Sequence, residues 1–519
     1  MYKNLSILLA ARAEQAPDKT FLTYEPDGRT YTYCQFQETV NQTANLLHAL
    51  GITKGDRVSL LLPNCPEYVI SYFACFQLGA LAGPINALLK SQEIKYVLNN
   101  SESIALIIAA SFLPYLDEIR TELPFLKHVI VVDATHSDTI YFPEAVAAQR
   151  KALHSVSAAT SLKSDDEAII IYTSGTTGKP KGVLLTHGNL IANARQISSW
   201  LNFTAEDRLL CIMPLFHMNA VSVTTMTPFY VGASMILSPK FSATKHWQII
   251  SDYRITSFGS VATMLSMLLH NYPEGVPAGC DTAALRFAMC GSAPVPVEVI
   301  RQFEELFHCL VIEGYGLSES TCRSTFNPPD TRRRPGSIGL PIGNEMKIFD
   351  ENDNELGAHQ IGEIVLCGEN IMKGYFHMPT ATKEAFRNGW FHTGDVGYYD
   401  EDGYFFVVDR KSDMIIRGGE NIYPREIDEL LYQHPAVKEA ATIGVPDPLY
   451  GEEVKAFVTL KEGAQATAYE IIAFCRTRLA DYKCPKSVVF LPEIPKGPTG
   501  KLLKRELARW ASSEPPTVG

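Results

Sequence analysis

Along the first third of the chain, apolar residues follow two periods in turn. Tyr31-Thr32-Tyr33 opens a stretch of helical spacing that runs through Leu46 and Leu47. Asp56-Arg57-Val58-Ser59-Leu60-Leu61-Leu62 is instead a short, nearly unbroken apolar run, the pattern of a buried strand. Pro66 starts the next helix at its first turn, where the missing N–H costs nothing. Ile104 to Ile108 and Val129 to Val132 are further runs of the kind found in parallel sheets covered on both faces. Such alternation of helix and strand predicts an α/β layered fold.

The same patterning frames a denser stretch. Ile169-Ile170-Ile171-Tyr172 leads into Thr173-Ser174-Gly175-Thr176-Thr177-Gly178-Lys179-Pro180-Lys181-Gly182, and Val183-Leu184-Leu185 leaves it. This predicts a strand, a flexible loop and a second strand. The glycines allow the backbone to aim its N–H groups at one point, and four hydroxyls and two lysines share the loop. The loop is built to hold a polyanion. It is not the common P-loop, because only Thr176 and Thr177 separate Gly175 from Gly178, and Pro180 follows Lys179.

Farther along, Cys211 to His217 is read as a strand ending in an aromatic–histidine pair, and Phe258 to Thr263 as a helix opening with small residues. Leu285 to Pro294 predicts strand, tight turn and helix. Val311 to Glu319 predicts a strand running into a loop where Tyr315 offers a ring to stack on a base, Ser318 a hydroxyl, and Glu319 a carboxylate for a hard divalent cation. Short strands from Gly336 to Asp409 suggest a barrel-like subdomain. A compact α+β unit follows, with a helix from Pro424 to Gln433, strands at Ala440 to Val445 and Lys455 to Leu460, and a helix from Tyr469 to Leu479. It ends in a lysine-bearing turn, Pro495 to Lys501, and a basic helix.

Bulk properties narrow the classes. The 519 residues leave room for several domain-sized units, and a net charge of −11 argues against nucleic acid as a partner. The 11 cysteines occur singly, with no CxxC pair, which argues against a zinc ribbon and for reduced thiols in a cytoplasmic protein. The N-terminal stretch reads as an amphipathic helix rather than a secretory signal. The longest apolar region, Tyr68 to Leu89, is broken by Gln77, Gly79, Gly83, Pro84 and Asn86, so no transmembrane segment is expected. Peripheral membrane contact and oligomeric state stay open.

Five motifs in order resemble the acyl-adenylate-forming superfamily of acyl-CoA synthetases, adenylation domains and luciferases. They are Thr173 to Gly182, Tyr315-Gly316-Leu317-Ser318-Glu319, Thr393-Gly394-Asp395, Asp409-Arg410-Lys411 and Gly500-Lys501. The resemblance implies an N-terminal domain (residues 1–410) of two α/β subdomains plus a β-barrel subdomain, a hinge at 411–413, and a small mobile α+β C-terminal domain (414–519). It implies ATP, Mg²⁺ and CoA. Thr173, Ser174, Gly175, Thr176, Thr177, Gly178, Lys179 and Lys181 would hold the phosphates. Gly291, Ser292, Ala293 and Tyr315 would flank the adenine, and Glu313, Gly314 and Gly316 would also belong to the ATP/AMP site. Ser318 would contact the α-phosphate, Thr173 and Glu319 the metal, and Asp395 and Arg410 the ribose. Lys501, Glu319 and His217 would be catalytic, and Arg417, Gly418, Gly419 and Glu420 would meet CoA. The sequence departs from the family pattern at Ser412 in the hinge and at Ser318, where Asp or Lys and Thr are common.

An acyl pocket is expected around Val221, Val223, Gly259, Val261, Met264 and Met289, apolar enough for a medium- or long-chain fatty acid. Met218-Asn219-Ala220 carries no acid to pair with a substrate cation, which disfavours amino acids. Arg323 is expected either to form a structural salt bridge or to meet a second carboxylate. Transfer to an acyl carrier protein, and an aromatic or other small acid, remain alternatives.

Overall fold

Two long sheets with helices between them carry the N-terminal part of the molecule. The computed structural model describes residues 2–154, 161–173, 180–293, 295–418, 420–497 and 502–512. The first sheet has eight strands, in the order Gly374–Tyr375, Lys181–Thr186, Glu167–Thr173, Leu81–Pro84, Arg57–Leu61, Ala105–Ile108, His128–Val131 and Ile140–Tyr141. From Glu167–Thr173 outward its pairings are parallel. The second has nine strands, and its parallel centre runs through Leu310–Tyr315, Phe287–Gly291, Ser257–Ser260, Arg208–Cys211, Ser234–Leu237 and Thr20–Tyr24. The chain's first strand thus belongs to the second sheet.

One buried cluster draws on both sheets and the helices between them, including Leu60, Phe73, Leu190, Val223 and Met289. The helix Tyr33–Ala49 begins two residues later than the periodicity suggests. Thr32 accepts from the Gln35 amide while the Gln35 side chain accepts from the Thr32 amide. This reciprocal cap fixes the helix start and leaves Thr30–Thr32 as a strand.

Two other expectations are corrected. The strand at Arg208–Cys211 stops short of His217, because Pro214 has no N–H and the side chain of Asn64 takes the neighbouring positions. Asn64 donates to the Met213 carbonyl and accepts from the Leu215 amide. Phe258 to Ser260 is strand, not helix, because it pairs on both sides with parallel neighbours, and the helix begins only at Ala262. Asn219–Met226 is a wide π-helical segment, buried throughout. The hydroxyls of Thr225 and Thr227 donate to the carbonyls of Ala220 and Ser222, five residues back, which suits the wider turn.

The β-rich region is an open five-stranded antiparallel sheet built on Glu345–Phe349, Gly362–Cys367 and Trp390–Tyr399, with Phe386–Arg387 and Phe405–Arg410 both paired to the last of these. A second five-stranded sheet, centred on Val437–Asp447 and Gly451–Leu460, forms the small C-terminal unit with the helices Pro424–Tyr432 and Ala468–Arg476. No helix among the described residues is long and apolar enough to cross a membrane.

Phe229 ties the layers together. Its ring lies 4.9 Å from Phe21 on the second sheet and 4.6 Å from Phe73 on an intervening helix. Phe229→Ala should cost about 3–5 kcal/mol and lower the calorimetric melting of the N-terminal part, with a much smaller loss for Phe229→Leu. Equal effects of the two variants would show that the ring cluster contributes little.

Candidate active site

The site is built where three parallel strands end side by side. Gly259 pairs with Met289, Cys290 with Glu313, and Gly291 with Gly314, so the carboxyl ends of Ser257–Ser260, Phe287–Gly291 and Leu310–Tyr315 open on the same side. In open α/β sheets this edge is where ligands bind. The segment after Tyr315 doubles back over these ends at very short range. A Cβ at Gly316 would lie 1.7 Å from the Cys322 carbonyl oxygen, and one at Gly291 would lie 2.3 Å from Arg323 Nη1. Only hydrogen fits at either place. Thr321 turns the segment at φ +66°, an unusual conformation for a β-branched residue, and its hydroxyl donates to the Asn370 carbonyl.

On one side of this crossing lies a polar group from two sheets. The Tyr315 hydroxyl donates to Asp395 Oδ2 at 2.6 Å, and Asp395 Oδ1 pairs with Arg410 Nε at 3.1 Å. Burial, then the negative charge of Asp395, raises the Tyr315 phenol well above its ordinary range. The pair is positioned by Thr393, whose hydroxyl donates to the Ile364 carbonyl and accepts from the Asp395 amide. Glu363 supports the same turn by accepting from the Gly394 amide and pairing with Lys411.

Glu319 starts a single helical turn with Ser318 at the same opening. Burial raises its carboxyl above the ordinary range, and a 3.1 Å hydrogen bond from the Tyr375 hydroxyl works against that shift. Tyr375 is absent from the sequence-derived site. It pairs across from Val183, and Lys181 Nζ lies 5.0 Å above its ring, so it links the strand leaving the glycine-rich loop to Glu319. Thr173 pairs directly with Lys181, closing that loop as a hairpin. Ser174, Gly175, Thr176, Thr177, Gly178 and Lys179 lie outside the described residues.

On the other side, Val221, Val223, Val261 and Met289 are buried in the main cluster, with Met264 packed against it. Asn219 Nδ2 donates to the Ser292 hydroxyl at 3.2 Å, and Ser292 adopts φ +68°. The Oδ1 of Asn219 would contact a Cβ at Gly259 at 3.3 Å and has no hydrogen-bond partner. His217 Nε2 is also buried and unpartnered, and burial lowers the imidazole to about 4, so it is neutral at ordinary pH.

The remaining candidates are dispersed. Glu313 points its carboxylate at the Gly336 amide, 2.8 Å away, and burial raises it to about 8. Arg417 pairs with Glu453 at 2.7 Å and stacks 4.1 Å above Tyr450. Gly418, at φ +59°, donates its amide to the Tyr450 carbonyl, and Glu420 is exposed. Gly419 and Lys501 lie outside the described residues. The turn that carries Lys501 is pinned on both flanks. Lys496 bridges to Leu502 and pairs with Glu439 at 2.6 Å, and Lys504 pairs with Asp428 at 3.2 Å.

Among the described residues no group of three or more His, Cys, Asp or Glu side chains forms a metal cage. Of these residues Glu319 fits a hard cation: its carboxylate is burdened by burial and has no basic partner in hydrogen-bonding range among the described residues.

The tyrosine–aspartate–arginine cluster and the half-buried Glu319 carboxylate are thus tied, through Tyr315 and Tyr375, to the strand pair that flanks the glycine-rich stretch. A family model described as "AMP-binding enzyme" matches residues 9–376, and one described as "AMP-binding enzyme C-terminal domain" matches residues 426–501. The chain belongs to the AMP-binding enzyme family, and it is an AMP-forming acid–CoA ligase. It is 37% identical to the long-chain-fatty-acid–CoA ligase of Bacillus subtilis (strain 168), over 97% of this chain and 94% of that protein. It is 36% identical to the sulfoacetate–CoA ligase of Cupriavidus necator, over 98% of each. The crystal structure of ATP-bound MatB from Rhodopseudomonas palustris matches with a TM-score of 0.90 at 30% identity, over 98% of this chain and 99% of that one. Relatives of nearly equal similarity are thus named for acids as unlike as a long-chain fatty acid and sulfoacetate.

Two outcomes follow from the electrostatics. Removing the Tyr375 hydroxyl leaves burial less opposed, so Tyr375→Phe should raise Glu319 further and move the acid limb of the adenylation pH profile to higher pH. An unmoved limb would separate Tyr375 from Glu319 function. Folded Glu313 keeps its proton up to about pH 8, against an ordinary value of 4.5. Its contribution to stability is therefore present at low pH and is lost as pH rises through that window. Glu313→Gln should flatten the fall in melting temperature between mildly acidic and mildly alkaline buffer, an effect on the order of a few kcal/mol. Parallel curves for both proteins would refute it.

Proposed function

We propose that this chain first joins a carboxylic acid to the α-phosphate of ATP, releasing pyrophosphate, and then passes the acyl group to CoA at the same opening. The single observation carrying this reading is that contacts between three sheets link these groups: Tyr315 bonds to Asp395, which pairs with Arg410, and Tyr375, across from Val183 beside the Thr173–Lys181 pair, bonds to Glu319.

The chemistry asks for these residue types. An ionised acid and a nucleoside triphosphate repel each other, so charge on the α-phosphate must be neutralised as the carboxylate oxygen attacks phosphorus. Tyr315 offers an aromatic face for a base, while Asp395 and Arg410 offer an acceptor and a donor for a ribose. Thr173 and Lys181 open and close the loop that would hold the departing pyrophosphate. Ser318 has a hydroxyl to give to the α-phosphate. Glu319, with Thr173, would hold Mg²⁺, which supplies positive charge against the phosphates when bound. Neutral His217 can close the wall beside the reacting carboxylate without adding charge. Lys501, on its pinned turn, would bring the second cation to the acyl carboxylate and α-phosphate. Arg417, Gly418, Gly419 and Glu420 would meet the incoming thiol's carrier in the second step.

The acid would lie along Val221, Val223, Gly259, Val261, Met264 and Met289. Those walls support an apolar acyl body, as expected for a medium- or long-chain fatty acid. Arg323 bears on how that body ends.

Lys501→Ala should cut acid-dependent pyrophosphate exchange by at least ~10²-fold, the scale for losing one charge-stabilising donor, while thioester formation from supplied acyl-adenylate falls much less. Equal losses in both half-reactions would sink the assignment of Lys501 to the first step. Absence of exchange in the unaltered protein would sink the adenylation reading itself.

A further inference from the structure

Arg323 is 1% exposed, one of the largest fully buried side chains in the molecule. Its backbone is fixed, the carbonyl accepting from Asn193 Nδ2 at 2.6 Å and the amide donating to Asn193 Oδ1 at 3.3 Å. The guanidinium has far fewer partners than donors. Nη1 donates to the Gly314 carbonyl at 2.9 Å, and the group lies 5.3 Å above the Phe326 ring. Nε and Nη2 have no hydrogen-bond partner among the described residues. No described carboxylate pairs with it. The only acidic side chain outside the described residues is Glu514, near the C-terminus. Glu313, on the adjoining strand, faces Gly336 instead.

A structural salt bridge therefore does not account for Arg323. A buried cation without a counter-ion is costly, and proteins keep one where something else supplies the charge. The position says where that charge would come from. The guanidinium lies against Gly291 at the carboxyl ends of the central strands, Nη1 standing 2.3 Å from where a Cβ would be; Met289 lies on the same strand, and Ser292, bonded to Asn219, follows it. The two unfilled nitrogens are also chemically specific. Nε and Nη2 share one edge of the guanidinium, the edge that offers two parallel N–H bonds to the two oxygens of one anionic group. Asn219 Oδ1, which faces Gly259, and His217 Nε2 are likewise without partners among the described residues. The slot is thus apolar along its walls and polar at selected points, not hydrocarbon-like throughout.

We propose that Arg323 receives a second anionic group on the acid substrate, a carboxylate or sulfonate distal to the carboxylate that is activated. The proposal rests on the adenylation reading above and deepens it by naming the substrate class: an acid whose apolar body ends in a second anionic group, in place of the methyl terminus of a simple fatty acid. A methyl-ended chain would leave Nε and Nη2 unpaired in the bound state. A second anion satisfies both, and a site built for such a group discriminates strongly against the analogue lacking it. Arg323 would set specificity without taking part in the bond changes.

The test is acid-dependent pyrophosphate exchange with three length-matched series: monocarboxylic, dicarboxylic and sulfocarboxylic acids. The unaltered protein should favour one of the dianionic series over monocarboxylic acids of the same length by at least ~10²-fold in kcat/KM. Which of the two wins identifies the anion. Arg323→Met should erase or reverse that preference mainly through KM for the acid, with KM for ATP unchanged, and Arg323→Lys should restore part of it. Preference of the unaltered protein for monocarboxylic acids overturns the proposal, as does a dianion preference that survives in Arg323→Met. Should Arg323→Met fail to fold, the preference of the unaltered protein and its weakening in Arg323→Lys decide. Exchange with no acid in any series defeats the adenylation reading and this assignment together. Exchange with monocarboxylic acids alone defeats this assignment only.

Discussion

The whole site depends on the close crossing of the 316–326 segment over the ends of two strands. Gly291, Gly314 and Gly316 have no room for a side chain, because the returning segment lies in contact with them. That contact sets three things at once. It aims Tyr315 at Asp395, it starts the turn that presents Ser318 and Glu319, and it lays Arg323 across the strand ends. In the proposed reading, the nucleotide side and the acyl side would be opposite faces of this one backbone turn. A change in its path would move both.

Low polarity around charged groups is the second constraint. Glu319, Tyr315 and His217 all shift in the direction that burial dictates, toward their neutral forms. Groups pushed toward their neutral forms respond when a charged ligand arrives, because the same surroundings strengthen any new ion pair. Arg323 is a different case, a buried guanidinium with no carboxylate partner among the described residues. Its surroundings must supply the balance.

Much of this was legible in the chain, for reasons that differ from residue to residue. Thr173 and Lys181 bracket a loop whose glycines and hydroxyls stand between two β-branched runs, so the hairpin could be read locally. Tyr315, Ser318 and Glu319 stand at the end of an apolar run, where a strand must release its last residues to solvent or ligand. Ser257–Ser260 was misread because glycine and serine lack strand propensity and its pairing partners lie tens of residues away. Tyr375 was missed for a similar reason: nothing near it in sequence signals a partner 56 residues away. Asn193, which pins Arg323 from 130 residues away, has the same kind of role. The two outcomes left open for Arg323 could be separated only by knowing which carboxylates surround it, and that is a property of the folded chain.

The link to the small C-terminal unit follows the same logic. Asp409 lies on the last strand of the N-terminal part, and its carboxylate accepts from the Arg425 amide at the start of the helix beyond the hinge. Arg425 Nη1 also reaches back to the Val407 carbonyl at 2.7 Å. Ser412, by contrast, bonds only to its neighbour Asp413. Any rotation about residues 411–413 must therefore break the two Arg425 bonds, whereas the serine can follow without losing a long-range partner. Burial lowers and the negative charge of Asp428 and Asp409 more than restores the Lys504 ammonium, which ties the helix after Lys501 to the same cluster. The start of the last helix, at Lys504, is thus held to Asp428 and Asp409, while Ser412 makes its bond within residues 412–413.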